Sequence, residues 1–263
     1  MESLTDLANH HGSDKGTEGP SPDWAPHNYT DVYEAYLGHL RQMPLNVLEV
    51  GMGVPGDAWD AQIAHGRNSG GGASIKMWRD YFLNAHVFGV DINPAPHLDN
   101  DRVTTFVTDQ GDPDALARFV QRAGVEFDVI IDDGSHRPDH QQITLAALFP
   151  HLKPGGLYFV EDLLANGQGD PNMGRFSDTS VLNTRRVLRQ FAATGTFAAP
   201  NALSDAADDL AKSIESVTFH VPRFTRSVRV FPSKLRTPKS AVRPMTRYRE
   251  GTETLALLRK RRD

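Results

Sequence analysis

The chain has 263 residues, of which 39% are hydrophobic and 23% charged, with a net charge of −5 and no cysteine. That length fits one large α/β domain with appendages, and the lack of cysteine excludes disulfides, thiolate catalysis and cysteine-ligated zinc. No apolar run approaches the ~18 residues of a membrane span, and the start is acidic and polar, unlike a signal peptide, so a cytoplasmic protein with no membrane partner is expected.

The charge is unevenly spread. From Arg223 to the end there are 13 Lys+Arg against 3 Asp+Glu, and the residues before it hold 15 against 30. Such asymmetry can mark a nucleic-acid partner, but a basic tail can equally pack on an acidic body. A body this acidic would repel phosphates, so no nucleic-acid partner is expected.

Residues 1–44 form a polar, helical prelude. Leu4, Leu7 and Ala8 share a helical face that His10-His11-Gly12-Ser13-Asp14-Lys15-Gly16 breaks. Helical spacing returns at Tyr29, Val32, Tyr33, Tyr36, Leu37 and Leu40, with Asn28 or Thr30 as the expected cap. Polar loops ahead of a sheet often close over a ligand, which makes Lys15, His27 and Tyr29 lid or substrate candidates.

Residues 45–231 read as the main domain. Leu45–Val50 is a strand running into Gly51-Met52-Gly53, a turn where backbone can approach a ligand closely. A long glycine-rich loop, Val54–Ala73, separates it from a helix bearing Ile75, Trp78, Tyr81 and Phe82, for which Ser74 is the expected cap. His86–Val90 ends in Asp91, and Val103–Val107 ends near Asp109-Gln110. Leu116, Phe119, Val120 and Ala123 give a crossover helix. Strands alternating with helices predict a Rossmann-like, doubly wound, mostly parallel sheet. An acid at the second strand end suits a ribose diol, because a carboxylate accepts from both hydroxyls.

The stretch Asp128–His140, DVIIDDGSHRPDH, is the chemical centre. Its β-branched run is a buried strand, and ligands sit beyond the carboxyl ends of such strands. Asp132, Asp133 and His136 are thereby delivered to a cleft. A turn with Ser135 as helix cap is the bland alternative. A helix from Ile143 to Leu152 is expected to stop at Lys153-Pro154-Gly155-Gly156, and the strand Leu157–Val160 then ends in a second acid pair, Glu161-Asp162. Acid pairs converging from neighbouring strands would repel unless a divalent ion bound them. Residues 163–178 read as a loop over the site and Val181–Phe191 as a helix. Ile214–Val221 with Ser227–Phe231 suggests an antiparallel terminal hairpin, with Thr254–Leu258, in a basic extension spanning 232–263, as the rival last strand.

The ordered set LEVGMG, GVDI, VTDQGD, FDVIIDDGSH and LKPGGLYFVEDL resembles class I S-adenosylmethionine-dependent methyltransferases. With HGSDKG, GGASIKMWRDYF and DDGSHxxxH it resembles the metal-dependent sugar O-methyltransferases of antibiotic pathways, over roughly residues 4–165. The resemblance implies that Glu49 and Gly51 line the methionine moiety of S-adenosylmethionine, that Asp91 holds its ribose and that Asp109 and Gln110 flank its adenine, with Asp132 also on the cofactor side. It implies Asp133, Glu161 and Asp162 as Mg²⁺ ligands and His136 as general base, with His140 a weaker candidate. The expected substrate is a glycoside or nucleotide sugar and the expected form a homo-oligomer. A catechol-like acceptor suits the same chemistry and is the alternative within the enzyme class. A nucleic-acid-directed protein using the basic tail is the alternative outside it.

Overall fold

The computed structural model describes residues 1–19, 26–56, 70–163, 181–222 and 253–262. Seven helices, α1 (Leu4–His11), α2 (Thr30–Leu37), α3 (Ala73–Tyr81), α4 (Pro113–Ala123), α5 (Pro138–Leu148), α6 (Thr184–Thr194) and α7 (Ala207–Ser213), are described around one sheet. Its strands are β1 (Asn46–Val50), β2 (His86–Asp91), β3 (Val103–Val107), β4 (Phe127–Asp132), β5 (Leu152–Val160), β6 (Ile214–His220) and β7 (Leu255–Lys260). They lie in the order β3-β2-β1-β4-β5-β7-β6. The first five are parallel, and β7 runs antiparallel to both β5 and β6.

Side-chain alternation along each strand divides the core. Val47, Val129, Ile131, Phe159 and Leu257 face α1, α2 and α3, where Trp78 and Tyr33 are fully enclosed. Leu48, Val50, Ile130, Tyr158, Val160 and Leu258 face α4, α5, α6 and α7. Covering both faces is what the unbroken apolar strands require. The prelude is therefore part of the core: Tyr33 packs at 5.0 Å from Trp78 and 4.7 Å from Phe159, ring centre to ring centre.

Several local expectations are corrected. Ser74 does not cap α3; Gly72 precedes the helix in the left-handed conformation, and Ser74 lies inside the first turn. Neither Asn28 nor Thr30 caps α2 through a side chain, because the N–H groups of Tyr29 and Thr30 donate instead to the carbonyl of Lys15. The helix from Ile143 ends at Leu148, followed by a 3-10 turn containing Pro150, and Leu152 already pairs with Phe127 in the sheet. The helix expected at Val181 starts at Thr184, because the Asn183 side chain accepts from Arg186 N at 2.9 Å. The partner of β6 is β7, from the basic extension; Ser227–Phe231 lies outside the described residues, as do most of the two expected loops.

Candidate active site

The register levels the carboxyl ends of three adjacent strands: Val50 pairs with Asp132, and Asp132 with Val160. The chain continues this ladder for one step, with Asp133 N donating to Val50 O and Glu161 N to Asp132 O, both at 2.9 Å. The turns that follow β1 and β4 touch. A Cβ on Gly51, which sits at φ 89°, would lie 2.1 Å from the Asp133 carbonyl oxygen, so only glycine fits there. At Gly134 a Cβ would meet Gln110 Oε1 at 2.0 Å, so a side chain there would displace the Gln110 amide.

Burial separates the acids. Asp133 and Asp162 keep part of their surface exposed, whereas Asp132 and Glu161 are buried. His136 joins the first two: its Nδ1 lies 4.0 Å from Asp133 Oδ1 and its Nε2 3.6 Å from Asp162 Oδ2. One ligand atom from each of Asp133, His136 and Asp162 falls within 4.8 Å of the others, a spacing that suits a metal ion. Asn28, His136 and Asp162 have φ of 56°, 58° and 50°. Left-handed backbone at non-glycine residues costs about 1–3 kcal/mol each and gathers at functional sites.

The prelude closes the other side of this group. A backbone ladder binds residues 13–16 to 27–30: His27 N donates to Asp14 O, Asn28 N to Gly16 O and Tyr29 N to Lys15 O. It presents Tyr29, whose hydroxyl donates to Asp162 Oδ1 at 2.6 Å, and His27, whose Nδ1 is 3.5 Å from the same oxygen. Burial opposes charge on His27, but Asp162, Asp14 and Asp133 outweigh it and hold the imidazole above its ordinary pKa. Burial likewise works against the Asp162 carboxylate, and His27, His136 and Tyr29 reverse it, so its pKa is lowered.

Lys15 is not on the surface of a lid. Its ammonium is fully enclosed, bonded to Asp133 Oδ2, 2.8 Å from Glu161 Oε1 and 3.4 Å from Glu49 Oε1. Burial opposes its charge, and Asp133, Glu161, Glu49 and Asp14 more than restore it, so its pKa stands well above the ordinary lysine value. Glu49, expected beside the cofactor's methionine end, is turned inward, accepting from Ser74 Oγ at 2.7 Å; burial pushes its carboxyl up to about 7. Glu161 accepts from the Tyr33 hydroxyl as well as from Lys15, and burial followed by Asp133 holds its pKa well above the carboxylate range. It stands behind the Asp133–His136–Asp162 group.

On the opposite side of the sheet, Asp132 meets neutral partners. Gln110 Nε2 donates to Asp132 Oδ1 and to Thr144 Oγ1, each at 3.0 Å, and Gln110 Oε1 accepts from Ser135 N at 2.6 Å. Both ends of this buried amide thus brace the Asp132–Ser135 turn. Burial raises the Asp132 carboxyl to about 7. Asp109 is exposed and accepts from Gly111 N at 2.8 Å. Asp91 ends β2 facing the β1 turn, where it accepts from Met52 N at 2.9 Å and Asn93 N at 3.0 Å. Burial raises its pKa against those donors. The His140 Nδ1 lies 2.9 Å from Ser135 Oγ, and its ring packs over Gly111.

Tyr33 and Ser74 were the site partners the sequence reading missed. Tyr29 and Tyr33 are one helical turn apart, a spacing that places both side chains on one face, and that signal was available.

An open sheet with this strand order, an antiparallel seventh strand and acids at its strand ends is the fold of the class I S-adenosylmethionine-dependent methyltransferases. No protein-family model matches the chain. In sequence it is 38% identical over 166 residues to demethylmacrocin O-methyltransferase of Streptomyces fradiae, covering 61% of this chain and 39% of that protein. It is 40% identical over 158 residues to a rhamnosyl-tetracenomycin-C 3'-O-methyltransferase of Streptomyces olivaceus, covering 60% and 36%. In structure it matches the MycE methyltransferase of the mycinamycin biosynthetic pathway, solved with Mg, SAH and mycinamycin VI, at TM-score 0.63 and 25% identity over 99% of this chain and 55% of that one. The chain thus spans just under two-fifths of the length of those two curated relatives. Among the described residues no helix is long and apolar enough to cross a membrane.

Proposed function

We propose that the chain is an S-adenosylmethionine-dependent, Mg²⁺-assisted O-methyltransferase that methylates a sugar hydroxyl of a glycosylated natural product or nucleotide sugar. The observation that carries the reading is the Asp133–His136–Asp162 group at the ends of β4 and β5, in a chain whose relatives are O-methyltransferases, one of them titled for a methoxyrhamnosyl substrate. The residues suit a hard divalent cation. Carboxylate oxygens are its preferred ligands, and Glu161 Oε2, one residue from Asp162, is buried with no hydrogen-bond partner. Asp133 and Asp162, with Glu161 behind them, would hold the ion.

Bound there, the ion would lower the pKa of an acceptor hydroxyl, while S-adenosylmethionine would supply the electrophilic methyl group. The chain's own residues do the rest. His136 accepts the hydroxyl proton at Nε2, and Asp133 Oδ1, 4.0 Å from Nδ1, stabilises the imidazolium that results. Tyr29 and His27 fix Asp162 from the prelude side. Asp91 at the end of β2 would accept from the ribose hydroxyls, in exchange for part of its bonding to the Met52 turn. Gly51 keeps the β1 turn pressed on the β4 turn, which fixes the spacing of these two strand ends.

Methyl transfer from labelled S-adenosylmethionine to a panel of deoxysugar glycosides, nucleotide sugars and catechols tests the reading. Labelled glycoside or nucleotide sugar is the expected product. Label on catechols alone would move the assignment to that acceptor class.

A further inference from the structure

The proton and methyl chemistry above leaves Lys15 without a task, although its ammonium sits fully enclosed among three carboxylates. Burying an ammonium is costly, and a residue whose only role was packing would be better served by an apolar side chain of the same length. Its position is specific. Asp133 is divided between two cation sites, with Oδ2 bonded to Lys15 and Oδ1 turned toward His136. Glu161 is drawn out of the Asp133–His136–Asp162 group because its Oε1 is taken by Lys15 and Tyr33. Glu161 Oε2 meanwhile remains buried without a donor.

We infer that Lys15 is a resident counter-cation that opposes divalent-metal binding at Asp133 and Glu161, so that the metal must overcome or displace an ammonium to seat itself. The inference rests on the metal-assisted reading of the site. Three features of the chain support it. The acids that Lys15 neutralises include two of the three residues proposed to hold the ion. A second cation brought to the same oxygens repels the first, with little solvent between them to screen the interaction. A monovalent ion replacing the ammonium gains no charge, whereas a divalent ion does, which gives the site a basis for rejecting Na⁺ and K⁺. The lysine also has somewhere to retreat to, since Glu49 Oε1 lies 3.4 Å from its ammonium on the side of β1.

The backbone of Lys15 extends the effect. Its carbonyl accepts from Tyr29 N at 2.9 Å and from Thr30 N at 3.1 Å, so the residue that faces the acids also starts α2 and anchors the segment carrying His27 and Tyr29. A metal that pushes Lys15 back acts on the element that fixes Asp162.

The test is Mn²⁺ binding to the full chain, followed by loss of the free-ion electron paramagnetic resonance signal and therefore independent of turnover. Wild type, Lys15→Met, Glu49→Gln and the double variant are compared. Glu49→Gln removes one buried charge of opposite sign, so the double variant restores the balance should Lys15→Met alone not fold. Lys15→Met is expected to bind Mn²⁺ about tenfold more tightly or better, in the wild-type background or, where that variant does not fold, in the Glu49→Gln background. Affinity that is unchanged or weaker without the lysine overturns the inference and makes Lys15 a scaffold for the acids. Failure of wild type and every variant to bind Mn²⁺ overturns the metal reading beneath it, and the inference with it.

Discussion

The two sides of the sheet's carboxyl edge treat their acids differently. On the side of α1, α2 and α3, Glu49, Glu161 and Asp162 meet Lys15, His27 and two tyrosine hydroxyls. On the side of α4 and α5, Asp132 meets the Gln110 amide, and burial raises its pKa to about 7. Both sides come from near-identical dipeptides, Asp132-Asp133 and Glu161-Asp162, at paired strand ends. In each pair the inner acid is buried in the scaffold of its own face and the outer acid keeps part of its surface exposed; the register sets Asp132 against Val160, so the two pairs are one residue out of step and their inner acids fall on opposite faces. The charged side holds the cluster proposed to do the chemistry, and the neutral side braces the turn that carries it.

The two histidines offer the sharpest way to break this division, one lying at the charged cluster and one on the neutral side. His136→Ala is expected to lower kcat by about 10²–10⁴-fold, the usual worth of a general base, with cofactor affinity little changed. His140→Ala should cost far less, because its ring is spent on Ser135 Oγ and the packing over Gly111. Steady-state kinetics on the two variants decides it; the reverse ranking would place the base on the wrong side of the sheet.

A smaller effect sharpens the neutral side. Gln110→Ala removes one amide that serves Asp132, Thr144 and Ser135 together. Removing a donor to the buried Asp132 carboxyl and the acceptor of the Ser135 N–H should lower stability by about 1–3 kcal/mol, read as a shift in the urea midpoint. Mn²⁺ affinity should be nearly unchanged, since Gln110 touches none of Asp133, Glu161 or Asp162. A large loss of metal affinity with intact stability would show that the neutral side participates in the chemistry after all.

Much of this was legible in the sequence because it is local. Runs such as Val129-Ile130-Ile131 with an acid at the end define a buried strand and its exit, and the alternation of such runs with helical faces defines the sheet. The ion-pair partners were not legible. Lys15 and Asp133 are 118 residues apart, and nothing in HGSDKG distinguishes a surface lysine from one driven into a cluster of acids. The same limit applies to Gln110, whose bonds to Asp132, Thr144 and Ser135 join distant segments, and to Ser74, whose hydroxyl reads as a cap when Glu49 takes it. It also explains the last strand. β6 pairs with β7, whose Leu257 and Leu258 pack onto opposite faces of the sheet, a long-range placement that the apolar pattern of the segment does not itself carry.

The central claim is that the outer acids hold a metal on which methyl transfer depends. The most direct measurement is methyl transfer to an accepted glycoside in wild type and Asp133→Ala, first with excess chelator and then with Mg²⁺ restored. Chelation should abolish wild-type turnover, Mg²⁺ should restore it, and Asp133→Ala should stay inactive at ordinary Mg²⁺ concentrations. Full wild-type activity in excess chelator would contradict the account, leaving proximity and His136 to carry the reaction without a metal.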